Sequence, residues 1–167
     1  MSRIRLFLSM TGFLVLVQPA LSQRAQADEK DTCTAHAGTL LTGSVVSGPS
    51  FKPGGRRKGV ELSHTHVQLR GDDGKTYDVA MDDVFAAGYD KAGEHVPAPL
   101  SQIKPGTHLE LCGQPYTDGT LGIHWVHTNC GDQPTQAAPD GWVKVIGADG
   151  TPGDNLESSQ EYCRLWP

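Results

Sequence analysis

The sequence has no C-x-x-C pair, no G-x-S-x-G motif and no apolar run long enough to cross a bilayer. The first absence argues against a thiol redox pair or zinc ribbon, and the second against a serine hydrolase of the nucleophile-elbow kind. Its longest apolar stretch, Leu6 to Val17, is about 12 residues where a spanning helix needs roughly 20. Aromatic residues are few at 7% and the net charge is −5, so a stacking, basic nucleic-acid surface is not favoured. No internal repeat is visible, and no long stretch carries a helical period.

What is present at the N-terminus is the layout of a secretory leader. Arg3 and Arg5 precede the apolar run, and Pro19 and small residues follow it. Two cleavage positions fit, after Ser22 and after Ala27, the first lying closer to the apolar run. Cleavage removes two cations, so the mature chain is more acidic and contains no membrane span. It is expected in the periplasm or outside the cell. Roughly 140 residues remain, enough for one domain. All four cysteines, Cys33, Cys112, Cys130 and Cys163, lie in the mature part, where an oxidising compartment favours disulfides. Three pairings exist; Cys112 with Cys130 and Cys33 with Cys163 are the ones expected.

Short stretches of apolar alternation separated by Gly, Pro and Asp predict an all-β domain. Strands are expected over Gly38 to Ser47, Val60 to Arg70, Thr76 to Asp82, Thr107 to Tyr116 and Leu121 to Asn129. A loop with the basic triplet Arg56-Arg57-Lys58 follows the first. The turn Asp72-Asp73-Gly74 joins the second and third. With Val67 and Leu69 inward, Leu69 faces Tyr77, Gln68 faces Asp78, His66 faces Ala80 and His64 faces Asp82. One or two helical turns over Val84 to Tyr89 fall between the third and fourth strands. This is the order of a small five-stranded OB-like Greek-key barrel, with a β-sandwich as its rival. The domain plan is a leader over 1–22, an N-terminal segment over 23–37, the barrel over 38–130, and a C-terminal extension over 131–167. That extension holds Trp142, Tyr162 and Trp166 and is expected to wrap the barrel.

The run Gly122-Ile123-His124-Trp125-Val126-His127-Thr128, followed by Asp140-Gly141-Trp142-Val143-Lys144, resembles the signature of a family of small exported bacterial proteins of unknown function. His64 matches that family's histidine on the second strand, and Lys104-Pro105-Gly106-Thr107 and Cys112-Gly113 are similar to its glycine-marked fourth strand. The resemblance covers about Gly38 to Lys144 and implies export and this fold, but no activity. His66, the cysteines flanking the last two strands and a longer segment before Gly141 depart from the pattern.

Chemistry concentrates in the histidines. His64 and His66, two apart on a strand, point to one side about 7 Å from each other, within reach of one zinc or other divalent transition metal ion. His124 or His127 would complete the set, and Asp82 would orient His64 from behind. An open coordination position would make a metal-dependent phosphodiester or peptide hydrolase. Without metal, His64 and Asp82 form an acid–base pair. Trp125 is expected in the core. The leading expectation is a non-catalytic binding or accessory module. Its ligand, an anionic small molecule, polymer or protein, would meet Gln68 and Asp78 beside the histidines and the rim of Arg56, Arg57 and Lys58. A third reading is an inhibitor or interaction protein.

Overall fold

The computed structural model describes residues 19–90 and 94–166. The leader expected over 1–22 therefore lies mostly outside the described residues. Five strands close a barrel: β1 (Thr39–Lys52), β4 (His64–Gly71), β5 (Thr76–Asp82), β6 (His108–Asp118) and β7 (Thr120–His124). They run in the order β1-β4-β5-β7-β6, and β6 returns to β1. Only β5 and β7 are parallel; the other pairings are antiparallel. This is the OB-like connectivity anticipated from strand order.

Closure depends on β1 serving both neighbours. Its first half pairs with β6 and its second with β4, with register shifts between Val45 and Ser47 and again before Ser50. Such bulges bend a strand and increase its twist. At Gly43, shared by both pairings, a Cβ would collide with the backbone of Arg70. The strand thus runs past the expected end at Ser47 to Lys52. Beyond it the chain forms a small ribbon of β2 (Arg56–Arg57) and β3 (Val60–Glu61). The expected strand from Val60 to Arg70 is consequently split in two.

Alternation fills the barrel. Val67, Leu69, Val79, Met81, Leu109 and Leu111 are buried inside it, and the short helix α2 (Ala98–Ser101) delivers Leu100, with Ile103 just beyond, into the same core. The hairpin register is the one expected: His64 opposite Asp82, His66 opposite Ala80, Gln68 opposite Asp78 and Leu69 opposite Tyr77. Gly74 takes φ +81° at the turn, where Asp73 accepts hydrogen bonds from the Lys75 amide and the Tyr77 hydroxyl.

Two features correct the sequence reading. The N-terminal segment is a helix, α1 (Pro19–Ala35), with no strong apolar face to announce it. Tertiary links hold it to the barrel: Lys144 on β8 (Trp142–Val145) lies 2.9 Å from Glu29 and 3.7 Å from the fully buried Glu110, which accepts from Trp142 Nε1 at 3.0 Å.

The disulfides also pair differently, as Cys33–Cys112 and Cys130–Cys163. In the β6–β7 hairpin Gln114 is opposite His124, so β7 ends before reaching the level of Cys112, and Cys130 has already left the sheet. Cys112 takes Cys33 from α1. Cys130 takes Cys163 from the tail, whose Tyr162 and Leu165 pack with Val60, Val84 and Phe85. The extension therefore does wrap the barrel. With both bridges formed and no free cysteine among the described residues, the chain carries the chemistry of an oxidising compartment. No helix among the described residues is long and apolar enough to cross a membrane.

Candidate functional site

The site begins where β4 and β5 part. Their register sets His64 against Asp82, and His64 Nε2 comes to 2.7 Å from Asp82 Oδ1. The next residue, Asp83, starts a 3₁₀ turn over Asp83–Phe85 and points inward. There it accepts from Ser63 Oγ at 2.7 Å and Thr65 Oγ1 at 2.6 Å. Consecutive aspartates thus face opposite environments, because alternation continues to the end of β5.

The second motif reaches Asp82 by a different route. β7 stops at His124 because Trp125 takes φ +56°, a left-handed conformation that costs a bulky residue about 1–3 kcal/mol. The expected strand to Asn129 is therefore cut short. The chain turns instead, and His127 Nε2 arrives 3.3 Å from Asp82 Oδ2 while its Nδ1–H donates to the Thr128 carbonyl at 3.0 Å. Both carboxylate oxygens of Asp82 are thus occupied by imidazoles. With strand alternation broken at Trp125, His127 rather than His124 meets Asp82.

Aromatic rings continue outward from there. The His127 ring lies on Phe85 at 3.6 Å and 5°, Phe85 stacks with Trp166 at 5.3 Å, and Trp125 leans on His127 at 5.3 Å. Together with Leu62 these rings wall a cavity of about 230 Å³ whose polar base is His64, Asp82 and His127. Trp125, expected in the core, is a wall of this cavity.

Electrostatics at the base follow from these contacts. Burial disfavours ionisation of Asp82, but hydrogen bonds from His127 and His64 outweigh it and hold the carboxyl well below its ordinary 3.8. The same Asp82 bond, opposed by burial, raises His64 above 6.5. Burial lowers His124, whose charge is coupled to Asp82, His64 and His127. It also raises Asp83, against the hydroxyls that donate to it.

No family model, curated protein or solved structure matches this chain. The two pieces of the I-H-W-x-H and G-W pattern nevertheless meet in space. The Gly141 amide donates to the His127 carbonyl at 2.8 Å, and a Cβ on Gly141 would collide with the carbonyl oxygens of Cys112 and Trp125. Glycine is needed there because the strained turn packs directly on its backbone.

The other expected site residues fall elsewhere. His66 turns to Asp78, with Nδ1 at 2.9 Å, and Asp78 also accepts from Gln68 at 3.0 Å and the Tyr116 hydroxyl at 2.6 Å. His66, Gln68 and Asp78 border a separate polar groove with Ser50 and Lys52. The ring centres of His64 and His66 are 6.3 Å apart, but each imidazole is engaged by its own carboxylate. Among the described residues, no group of three or more His, Cys, Asp or Glu side chains is arranged to hold a metal ion. Of the basic triplet, Arg56 lies 3.9 Å from Glu61 and Lys58 donates to the Arg164 carbonyl at 3.2 Å. Arg57 lies over Trp166, its guanidinium 5.6 Å from the ring centre.

Glu157 is a residue the sequence offered no reason to single out. It is fully buried, and neither carboxyl oxygen has a hydrogen bond of ordinary geometry. Burial, then the charges of Asp82 and Asp83, push it well above 4.5, with the Asp82 amide a small opposing influence. As the folded value is raised, the cost appears as pH climbs past the unfolded value, where only the unfolded chain ionises. Glu157→Gln is therefore expected to gain on the wild type progressively from about pH 4.5 upward. Glu157→Leu should be more stable by about 1–3 kcal/mol at pH 7, read by urea unfolding. A wild type more stable than both variants at pH 7 would contradict this.

Proposed function

We propose that this chain is an exported, non-catalytic binding module whose small-molecule ligand occupies the cavity between Trp125, Phe85 and Trp166. The leader-like N-terminus, the two disulfides and the I-H-W-x-H resemblance support export to the periplasm or the exterior. An apolar cavity with a few convergent polar groups is the usual form of a small-molecule site. The observation that carries the reading is Trp125. A tryptophan held at φ +56° is costly for folding, and its position is explained by what it does for the cavity.

Among the described residues, the cavity lining holds no free thiol and no serine or threonine hydroxyl, which supports binding over catalysis. Every cysteine among the described residues is in a disulfide, and the Ser63 hydroxyl is buried and donates to Asp83. A metal-dependent hydrolase would need His66 beside His64 at one ion, whereas His66 pairs with Asp78.

Trp125→Gly separates function from folding. Glycine accepts the left-handed conformation freely, so strain relief offsets lost packing and stability is expected to stay within about 1 kcal/mol. Binding of single-ring aromatic fragments, followed by Trp166 fluorescence, should fall at least about tenfold. Unchanged affinity in a folded Trp125→Gly protein would remove the cavity from the function.

A further inference from the structure

Resting on the reading above, the ligand's chemical class can be narrowed from the shape and charge of the cavity. Its volume of about 230 Å³ lies under the roughly 300–1,000 Å³ that accommodates drug-sized molecules. One ring system with a short substituent is the appropriate size. The walls are aromatic, with Trp125, His127, Phe85 and Trp166 in one run of stacked and tilted rings. Such walls favour an aromatic guest, since offset and edge contacts between rings add to simple burial.

The base selects the polar end. Asp82 is the acceptor there, and both its oxygens already face His64 Nε2 and His127 Nε2. With both oxygens engaged, Asp82 has less acceptor capacity to offer a ligand's ammonium group. His64, in contrast, uses only Nε2. Its Nδ1 has no protein partner among the described residues, while the ring borders the cavity. When His64 is protonated, which its contact with Asp82 favours, this free Nδ1–H gives the base a donor. Arg57 stands over Trp166, a wall of the cavity, and adds a nearby cation. The acid on the rim, Asp132, is exposed to solvent, where screening weakens its repulsion.

We propose that the cavity binds a small planar aromatic carboxylate, its ring against Trp125 and Trp166 and its carboxylate toward His64, with Arg57 drawing the anion to the rim. A charge-assisted bond to a carboxylate is about twice as strong as a neutral one. An amide of the same shape keeps the ring contacts and loses only that bond.

The experiment is a calorimetric titration of the full mature chain with benzoate, benzamide, benzylammonium and cyclohexanecarboxylate. Benzoate is expected to bind at least about tenfold tighter than each of the other three. His64→Gln should bring benzoate down to the affinity of benzamide while leaving benzamide unchanged. Arg57→Ala, a surface change that leaves folding untouched, should weaken benzoate a few-fold and lessen its dependence on salt; it carries the test if His64→Gln does not fold. Equal binding of benzoate and benzamide would overturn the carboxylate assignment yet leave the cavity as a site. Preference for benzylammonium would reverse the sign of the charge selection. Failure of all four probes to bind would count against the cavity reading itself.

Discussion

Asp82→Asn is expected to cost about 2–4 kcal/mol of folding stability at pH 7 and to disable the cavity at the same time. Asp82 is the single acceptor between two imidazoles, at 2.7 Å from His64 and 3.3 Å from His127. An asparagine can accept from His64 and donate its NH₂ to the Nε2 lone pair of a neutral His127, so the charge-assisted bonds of the carboxylate become weaker neutral ones. The His127 side chain is 5% exposed, so water does little to make up the lost charge. Breaking a buried pair outright costs about 3–5 kcal/mol; asparagine keeps part of the contacts and His64 is partly solvated, so the loss is about 2–4 kcal/mol.

The pH dependence of that loss is specific. A carboxyl held low in the folded state contributes stability above its unfolded value near 3.8 that is lost as pH falls through the folded value. His64, raised above 6.5, contributes stability below its unfolded value that is lost as pH rises through the folded one. The wild type should therefore exceed Asp82→Asn by most between these two limits, with the gap narrowing toward both acid and alkaline pH. Urea unfolding across that range measures it, and a gap independent of pH would show that the contacts with the two histidines are not its source.

The second large effect belongs to the bridge between α1 and β6. Replacing Cys33 and Cys112 together by alanine is expected to lower stability by about 4 kcal/mol, because the bridge closes a loop between residues 79 apart and long loops lose the most entropy when cross-linked. Without it, α1 keeps the Glu29–Lys144 contact, which is too weak to order a helix of 17 residues by itself. Circular dichroism should thus show lost helix with the barrel's β signal retained. Loss of the whole fold, or no loss of helix, would each contradict this division of labour. Removing the Cys130–Cys163 bridge closes a shorter separation of 33, and its consequence should appear at Trp166 and the cavity instead.

How legible this was in the sequence depends on distance along the chain. The β4–β5 hairpin was readable because a tight turn at Asp72-Asp73-Gly74 and strict alternation fix every pair in it, including His64 with Asp82. Nothing local reveals that Trp125 adopts a left-handed conformation, and that one angle carries His127 to Asp82 and Trp125 to the cavity wall. Helix α1 escaped notice because its support is tertiary, from Cys112 and Lys144. The disulfide pairing escaped for the same reason, since it depends on where the helix and tail dock. His66 looks equivalent to His64 by spacing, yet Asp78, itself held by Gln68 and Tyr116, claims it. Of the basic triplet, Arg57 lies over Trp166, while Arg56 and Lys58 are engaged by Glu61 and the Arg164 carbonyl.

The central claim is that the aromatic cavity over His64, Asp82 and His127 is where the protein binds its ligand. Chemical-shift mapping on ¹⁵N-labelled protein during titration with benzoate and benzamide tests it most directly. The expected result is that the Trp125 and Trp166 indole signals and the His64 ring move together, while Trp142 and Gln68 stay in place. Shifts confined to the groove of Ser50, His66 and Gln68, with Trp125 and Trp166 unmoved, would contradict it.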